Sequence, residues 1–190
     1  NEVLIANRNG RAIRFHENAV RVMGRTASGV RGMTLDDDPN DEVVGMVCVK
    51  DKEKETVLVV SEQGYGKRSN IEDYRITNRG GKGVKCYKIT EKTGDLVGAK
   101  IVTDENDVMI ITTEGIIIRT SCDGISTLGR VTSGVKIINL NYDNNVKVAS
   151  MTEVQKEEFD DEDPEGENPE ETEDTEVSEE QSSEEDSTEE

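Results

Sequence analysis

The sequence predicts an all-β fold made of three successive copies of a repeat of about fifty residues. Residues 57–64 match residues 108–115 at an offset of 51, and residues 3–10 form a related copy 54 positions before the second. The apolar residues are mostly Val and Ile, and seventeen Gly but only three Pro separate short apolar runs, as is typical of β-rich proteins. A period of this length is typical of propeller-like arrays.

Each complete repeat is expected to be a blade of four antiparallel strands, because four short runs alternate with polar turns. In the second repeat the predicted strands are residues 43–49, 56–61, 65–70 and 84–89. A strand like the first of these precedes the third repeat at residues 96–102 but has no counterpart ahead of the first, which is therefore expected to be truncated at its N-terminus. The predicted blades are about 1–42 (partial), 43–95 and 96–150, together spanning residues 1–150.

Charge is distributed very unevenly along the chain. The formal net charge is −19, yet residues 1–150 contain 22 Lys and Arg against 21 Asp and Glu, whereas residues 151–190 contain one Lys and 21 acids. Repulsion between like charges predicts that residues 151–190 form a disordered acidic tail. The acidic average therefore does not exclude a polyanionic partner for the repeats.

Catalytic and metal-binding sites are not expected in this chain. His16 is the single histidine, so a Ser-His-Asp, Cys-His or histidine-metal arrangement cannot be assembled, and it is read as a surface residue. Three cysteines without a Cys-x-x-Cys pair are expected to be reduced core thiols: Cys48, Cys86 and Cys122. Four tyrosines are expected to be β-sheet residues: Tyr65, Tyr74, Tyr87 and Tyr142. The acidic run at residues 36–38 is interpreted as a solvated turn.

The same sequence predicts a cytoplasmic protein. No apolar stretch approaches the roughly 18 residues of a membrane span, and no signal peptide is visible. Because the chain begins at Asn1 directly before an apolar run, it is expected to be a piece of a longer protein.

Basic residues coincide when the three repeats are aligned. Three positions are filled by a cation in every copy: Arg14, Arg68 and Arg119; Arg25, Arg79 and Arg130; and Arg31, Lys85 and Lys136. Stacked repeats would align these cations in a band, which could hold a phosphate backbone without reading its sequence. Neighbouring Gly, Ser and Thr residues would let backbone N–H groups approach phosphate oxygens. The alternative is that edge cations only prevent aggregation between sheets.

Residues 10–15, 20–25 and 29–33 resemble the blade signature of the C-terminal domain of bacterial DNA gyrase A. The resemblance implies a β-pinwheel of up to six blades, of which this chain would be the last three, with a basic rim that bends double-stranded DNA. It also implies a parent type IIA topoisomerase that introduces negative supercoils using ATP and Mg²⁺, assembled with gyrase B as an A2B2 heterotetramer. The fragment itself would need no cofactor, would not cut DNA, and would work with the nucleoid in the bacterial cytoplasm, away from any membrane.

One motif departs from that family pattern. The family's Gln-Arg-Arg-Gly-Gly-Lys-Gly box is normally in the first blade, whereas residues 77–83 match only its last five positions and lie in a middle copy. The match adds Lys82 to the candidate DNA-binding residues. We interpret it as a degenerate echo of the box.

Two other functions remain open from the sequence. The equivalent C-terminal domain of topoisomerase IV has similar blades but serves relaxation and decatenation. A protein-binding β-propeller also has repeats near fifty residues, although the aromatic signatures of kelch and WD blades are missing.

Overall fold

The computed structural model describes residues 1–140 and 145–156, and within them it confirms the all-β fold. These residues form eleven strands: β1 Glu2–Asn7, β2 Arg11–His16, β3 Val43–Val49, β4 Thr56–Ser61, β5 Tyr65–Asn70, β6 Val84–Lys85, β7 Leu96–Val102, β8 Asn106–Thr112, β9 Ile117–Ser121, β10 Val135–Lys136 and β11 Val148–Gln155. Two short 3-10 turns follow β2 and β5, at Glu17–Ala19 and Ile71–Asp73.

The strands form three antiparallel sheets, each built on one hairpin. Their orders are β3-β1-β2-β6, β10-β5-β4-β7 and β11-β8-β9. The short strands come from the following repeat: β6 pairs with β2 through Arg11 and Lys85, and β10 pairs with β5 through Tyr65 and Lys136. Successive repeats are therefore joined by strand exchange, as expected for blades that are not stable alone.

The predicted grouping of strands into blades was wrong in one respect. Strand β3 pairs with β1 of the first hairpin, not with the hairpin that follows it, and β7 likewise pairs with β4. A repeat alignment gives the period but not the point at which the structural unit begins. The first sheet therefore has four strands, so its expected truncation is also wrong, and the third sheet has three strands among the described residues.

Two strand boundaries differ from the expected ones. The strand predicted at residues 84–89 ends at Lys85, because the N–H groups of Cys86 and Tyr87 both bond to the carbonyl of Gly10 in the β1–β2 turn. Strand β11 continues to Gln155, beyond the predicted start of the acidic tail, because it pairs along β8. The predicted disorder of the tail from residue 157 onward lies outside the described residues.

The central sheet is buried on both faces. In β4, Val57 and Val59 pack into a cluster with the first sheet, while Leu58 and Val60 pack into a second cluster with the third sheet. A strand covered on both faces has a continuous apolar sequence and no alternation. Two of the three clusters of buried apolar residues therefore lie between neighbouring sheets. The third covers the other face of the first sheet and contains Ile13, Phe15 and Met33.

Cysteines and tyrosines only partly follow the expectations. Cys86 and Cys122 are buried, and burial raises their thiol pKa values to about 12 and about 11, whereas Cys48 lies exposed on the edge strand β3. Tyr65 begins β5, but Tyr74 and Tyr87 are buried outside the strands. Tyr142 lies outside the described residues.

Candidate nucleic-acid interface

Each repeat contributes one irregular segment, and those of the second and third repeats reach the sheet of the preceding repeat. We call these the first edge segment (residues 24–34), the second edge segment (residues 78–88) and the third edge segment (residues 129–136). The second and third contain β6 and β10, which lie at the edges of the first and second sheets. All seven predicted cations other than Arg14, Arg68 and Arg119 lie in these segments.

Hydrogen bonds join the three edge segments into one continuous layer. At the first junction, Thr34 donates its N–H to the carbonyl of Gly81 at 2.9 Å and its hydroxyl to the carbonyl of Gly80 at 2.7 Å. At the second junction, Lys88 N–H donates to the carbonyl of Thr132 at 3.1 Å and the Ser133 hydroxyl to the carbonyl of Lys88 at 2.9 Å. Their cations are therefore carried by a single connected surface.

Glycine is required where this layer contacts the sheets. Gly83 has φ +72° and Gly134 has φ +74°, a backbone region that favours glycine. A Cβ at these positions would lie 2.3 Å from the carbonyl oxygen of Ala12 and 2.4 Å from that of Gly66. The Gly-Val-Arg/Lys step of the sequence therefore places each short strand against the preceding sheet.

Five predicted cations are exposed on this layer. They are Arg25, Arg31, Lys82, Lys85 and Lys136. Of these, Lys82 lies 3.7 Å from a carboxylate oxygen of Asp36, an exposed pairing that contributes little to stability. The exposed set supplies at least one cation from every repeat.

Arg79 and Arg130 link neighbouring edge segments. Each is half-buried and donates from Nη1 to the backbone carbonyl of the preceding segment, Arg79 to Arg31 and Arg130 to Lys85. These pairs are equivalent in the repeat alignment. Both guanidinium groups therefore fix the spacing of the layer while adding positive charge to it.

Arg14 and Arg68 are not on the surface, which contradicts their prediction as DNA contacts. Arg14 is 2% exposed and Arg68 is 8% exposed. Arg14 donates to the carboxylate of Glu2 at 2.5 Å and to the carbonyls of Ile71 and Tyr74, both at 2.8 Å. These carbonyls belong to the next repeat's 3-10 turn and the residue after it, so this arginine joins two blades.

Arg68 has the equivalent role one blade further along the chain. Its Nε donates to the carbonyl of Ile125 at 3.0 Å, and its Nη1 lies 2.5 Å from Asp104. Arg119, the equivalent arginine of the third repeat, is exposed but lies outside the edge layer. It donates to Asp107 at 2.7 Å and to the carbonyl of Gln155 at 3.1 Å.

Repeat alignment missed two cations, Lys88 in the edge layer and Arg11 beside it. Arg11 and Lys88 line a groove of about 510 Å³ together with Lys85 and Asn9. Arg11 is equivalent to Tyr65 and Lys88 to Thr34, so neither repeats as a cation. The sequence feature that could have indicated them is position: Arg11 directly follows Gly10, and Lys88 lies three residues after the predicted cation Lys85.

A second groove of about 480 Å³ occupies the equivalent place in the next blade. It is lined by Gln63, Tyr65, Glu91, Lys92 and Lys136. Gln63 corresponds to Asn9 and Lys136 to Lys85, so the two grooves repeat with the blades. Their regular recurrence suits an extended polymer better than a single small ligand.

Other site types find no support in the described residues. They contain no group of three or more His, Cys, Asp or Glu placed to hold a metal ion. Within the same ranges, no helix is long and apolar enough to cross a membrane.

The antiparallel sheets, joined by short strands from the following repeat, and the cationic edge layer define a propeller-like β-pinwheel with a basic edge. The family described as DNA gyrase C-terminal domain, beta-propeller, matches residues 1–50, 55–103 and 106–155. The chain belongs to this family, that of the DNA gyrase A C-terminal domain.

Individual relatives agree with this assignment. The chain is 46% identical over 162 residues to DNA gyrase A of Staphylococcus aureus (strain MRSA252), and 43% identical to that of strain NCTC 8325 / PS 47. Each match covers 85% of this chain and 18% of the relative. The chain thus spans about a fifth of the length of these curated relatives.

Solved structures show the same architecture. A structure of the DNA gyrase A C-terminal domain, 29% identical, superposes with a TM-score of 0.71 and covers 80% of this chain and 50% of that one. The C-terminal domain of DNA topoisomerase IV is 24% identical, with a TM-score of 0.74, and covers 82% of this chain and 47% of that one. At that identity, the likeness to topoisomerase IV concerns the fold alone.

Proposed function

We propose that this chain binds duplex DNA through the edge layer without reading its sequence, and bends and wraps it as the C-terminal part of a DNA gyrase A. The observation that carries the proposal is the continuity of the layer, in which hydrogen bonds join cations from all three repeats. Phosphate contacts by Arg and Lys position a duplex without reading bases. A row of them along stacked blades favours a DNA path that follows the blades.

The parent protein's activity follows as the wider part of this proposal. The parent acts as a type IIA topoisomerase that introduces negative supercoils with ATP, in an A2B2 assembly with gyrase B in the bacterial cytoplasm, associated with the nucleoid. ATP and Mg²⁺ would be bound by other parts of that assembly. This chain's contribution is to hold the DNA segment that the parent acts on.

A salt series tests the binding step. Six exposed edge-layer cations, the five predicted ones and Lys88, give an expected slope of log K against log salt of up to about −5.4, at about −0.9 for each phosphate contact. Fluorescence anisotropy on two unrelated 40-base-pair duplexes should return the same slope and similar affinities. A slope near zero, or a strong preference for one duplex, would contradict the proposal.

Wrapping with one handedness is tested separately by DNA topology, because a planar bend alone does not change the linking number. A nicked plasmid sealed by ligase in the presence of increasing amounts of the chain should show a linking-number shift that grows with protein bound. Binding without any such shift would leave DNA binding in place and remove the wrapping step.

Removing residues 157–190 is expected to tighten DNA binding. These residues carry 20 Asp and Glu and no Lys or Arg, so they compete with DNA for the edge-layer cations. The cut is placed after Lys156 because β11 runs to Gln155. At an effective tail concentration of about 1 mM, the expected gain in affinity is about tenfold at low salt and shrinks as salt rises.

The matched control for this truncation is a neutral Gly/Ser tail of equal length. If charge is responsible, the neutral tail behaves as the truncation does. Equal affinities for the full chain and both variants would rule out competition by the tail.

A further inference from the structure

Lys67 is a buried cation directly beneath the third edge segment. It lies on β5 with no exposed surface, and its Nζ donates to the backbone carbonyls of Gly129 at 2.7 Å and Arg130 at 2.5 Å. Lysine is rarely buried completely, because its ammonium loses its hydration. Its two carbonyl partners are the first residues of the third edge segment.

The equivalent position in the other repeats is apolar. It is Ile13 in the first and Ile118 in the third. Ile13 packs beneath the second edge segment, where its Cδ1 lies 3.7 Å from the place a Cβ on Gly81 would occupy. Filling the space under an edge segment therefore does not require a charge, and Lys67 supplies something more than volume.

The backbone of the third edge segment explains the difference. Gly80 of the second segment has φ +86°. Its equivalent in the third segment is Val131, which does not have a positive φ, since Asn145 is the only described non-glycine residue that does. A β-branched residue avoids that region for steric reasons. The third segment therefore follows a different path, in which Lys67 donates to its first two carbonyls.

Several ionisable groups act on Lys67. Burial is the largest influence and lowers the Lys67 pKa to about 8; the Asp73 carboxylate raises it, and Arg130 lowers it further. The Tyr87 ring lies with its centroid 6.0 Å from Nζ. Burial raises the Cys86 pKa to about 12, so that thiol stays neutral while Lys67 loses its charge.

We propose that Lys67 is a positioning residue of the DNA interface, whose ammonium fixes the Gly129 and Arg130 carbonyls so that Arg130 and Lys136 are presented to a phosphate backbone. This inference rests on the proposed DNA-binding function. A neutral amine keeps two N–H donors but loses the charge that strengthens its hydrogen bonds. Deprotonation therefore loosens the third edge segment without releasing it.

The first test uses the free protein. Lys67→Met removes the charge and both hydrogen bonds to the carbonyls at similar volume. Lys67→Ile introduces the side chain found at position 13. Lys54→Met, on the exposed β3–β4 turn, is the control. Amide hydrogen exchange across residues 129–134 should accelerate in both Lys67 variants and stay unchanged in Lys54→Met. Because it needs no DNA, this readout shows whether Lys67 holds the third edge segment even if the DNA-binding proposal fails.

The second test measures DNA affinity. If Lys67→Met costs one phosphate contact through Arg130, the salt slope falls by about 0.9 and affinity at 0.1 M salt falls about eightfold. Arg130→Ala and the double variant should show the same loss, because the two residues act through one contact. Additive losses would contradict action through Arg130.

The pH dependence of DNA affinity is a readout that a merely structural role of Lys67 would not change. Because the folded-state pKa is lowered, the unfolded chain holds more protons between about pH 8 and the ordinary value of 10.5. Wild type therefore gains stability relative to Lys67→Met as pH rises through this window, while its DNA affinity falls from pH 7 to 9 relative to that variant. Titratable groups that are common to both proteins cancel in the comparison.

The outcomes separate the two proposals. If exchange, salt slope and pH profile of Lys67→Met match wild type, the positioning role is overturned, while a steep wild-type salt slope still supports DNA binding. If wild type shows no salt-dependent binding, the DNA-binding function fails and the positioning inference fails with it as a statement about an interface. Faster exchange would then show only that Lys67 holds the segment.

Discussion

Replacing Arg14 by alanine is expected to reduce the free energy of unfolding by about 3 kcal/mol, the lower end of the cost of breaking a buried ion pair, because Lys52 still pairs with Glu2 after Arg14 is removed. Arg14 is 2% exposed and contacts Glu2, whose carboxylate is also buried. Burial raises the Glu2 pKa, but hydrogen bonds from Lys52 and Arg14 outweigh it and leave that pKa lowered. Without Arg14, Glu2 and two backbone carbonyls lose a strong donor.

Arg119→Ala is the matched control for this substitution. Arg119 is equivalent in the repeat and pairs with the buried Asp107, but its own guanidinium is exposed and water can replace it, so its loss is expected to cost about 1 kcal/mol. Urea unfolding of the two variants should therefore separate their midpoints clearly. The folded fraction of Arg14→Ala should retain wild-type DNA affinity, and equal stability of the two variants would contradict the buried role of Arg14.

Neutralising one exposed cation in each repeat is expected to have the largest effect on DNA binding. The triple variant Arg31→Ala, Lys85→Ala, Lys136→Ala removes three repeat-equivalent cations of the edge layer. The salt slope should fall by about 2.7 and the affinity at 0.1 M salt by about 500-fold, since each lost phosphate contact changes the slope by about 0.9. Titration by fluorescence anisotropy measures both quantities.

The control removes the same number of charges elsewhere. Lys50, Lys54 and Lys156 are exposed, and they lie at the opposite ends of the strands from the β1–β2 turn and Lys85. Their triple alanine variant has the same net charge as the edge-layer variant. Equal losses in the two triples would mean that overall charge, and not the edge layer, determines affinity.

The repeat and most strands could be predicted because hydrophobic runs and turns recur along the chain. Strands β3, β4 and β5 have the predicted bounds. The assignment of β3 to the first sheet could not be predicted, since the alignment contains no information on which strands pair. The two-residue length of β6 likewise depends on the Gly10 carbonyl, a contact between distant parts of the chain.

The candidate site was predicted less completely, for physical reasons specific to each residue. Repeat equivalence indicates that Arg14 and Arg68 occupy corresponding places, but it does not distinguish an exposed place from a buried one. They are buried because carbonyls of the following repeat lie over them. Lys67, Arg11 and Lys88 do not repeat as cations, so an argument from repetition could not select them.

Protection of lysines from acetylation most directly tests the central claim that DNA binds the edge layer, because it locates the DNA on the wild-type protein. The chain is acetylated briefly with and without duplex DNA, and each lysine is quantified by mass spectrometry. DNA should protect Lys82, Lys85, Lys88 and Lys136, all exposed on or beside the edge layer, while Lys50 and Lys54 remain reactive. Protection of Lys50 and Lys54 with continued reactivity of the edge-layer lysines would contradict the account.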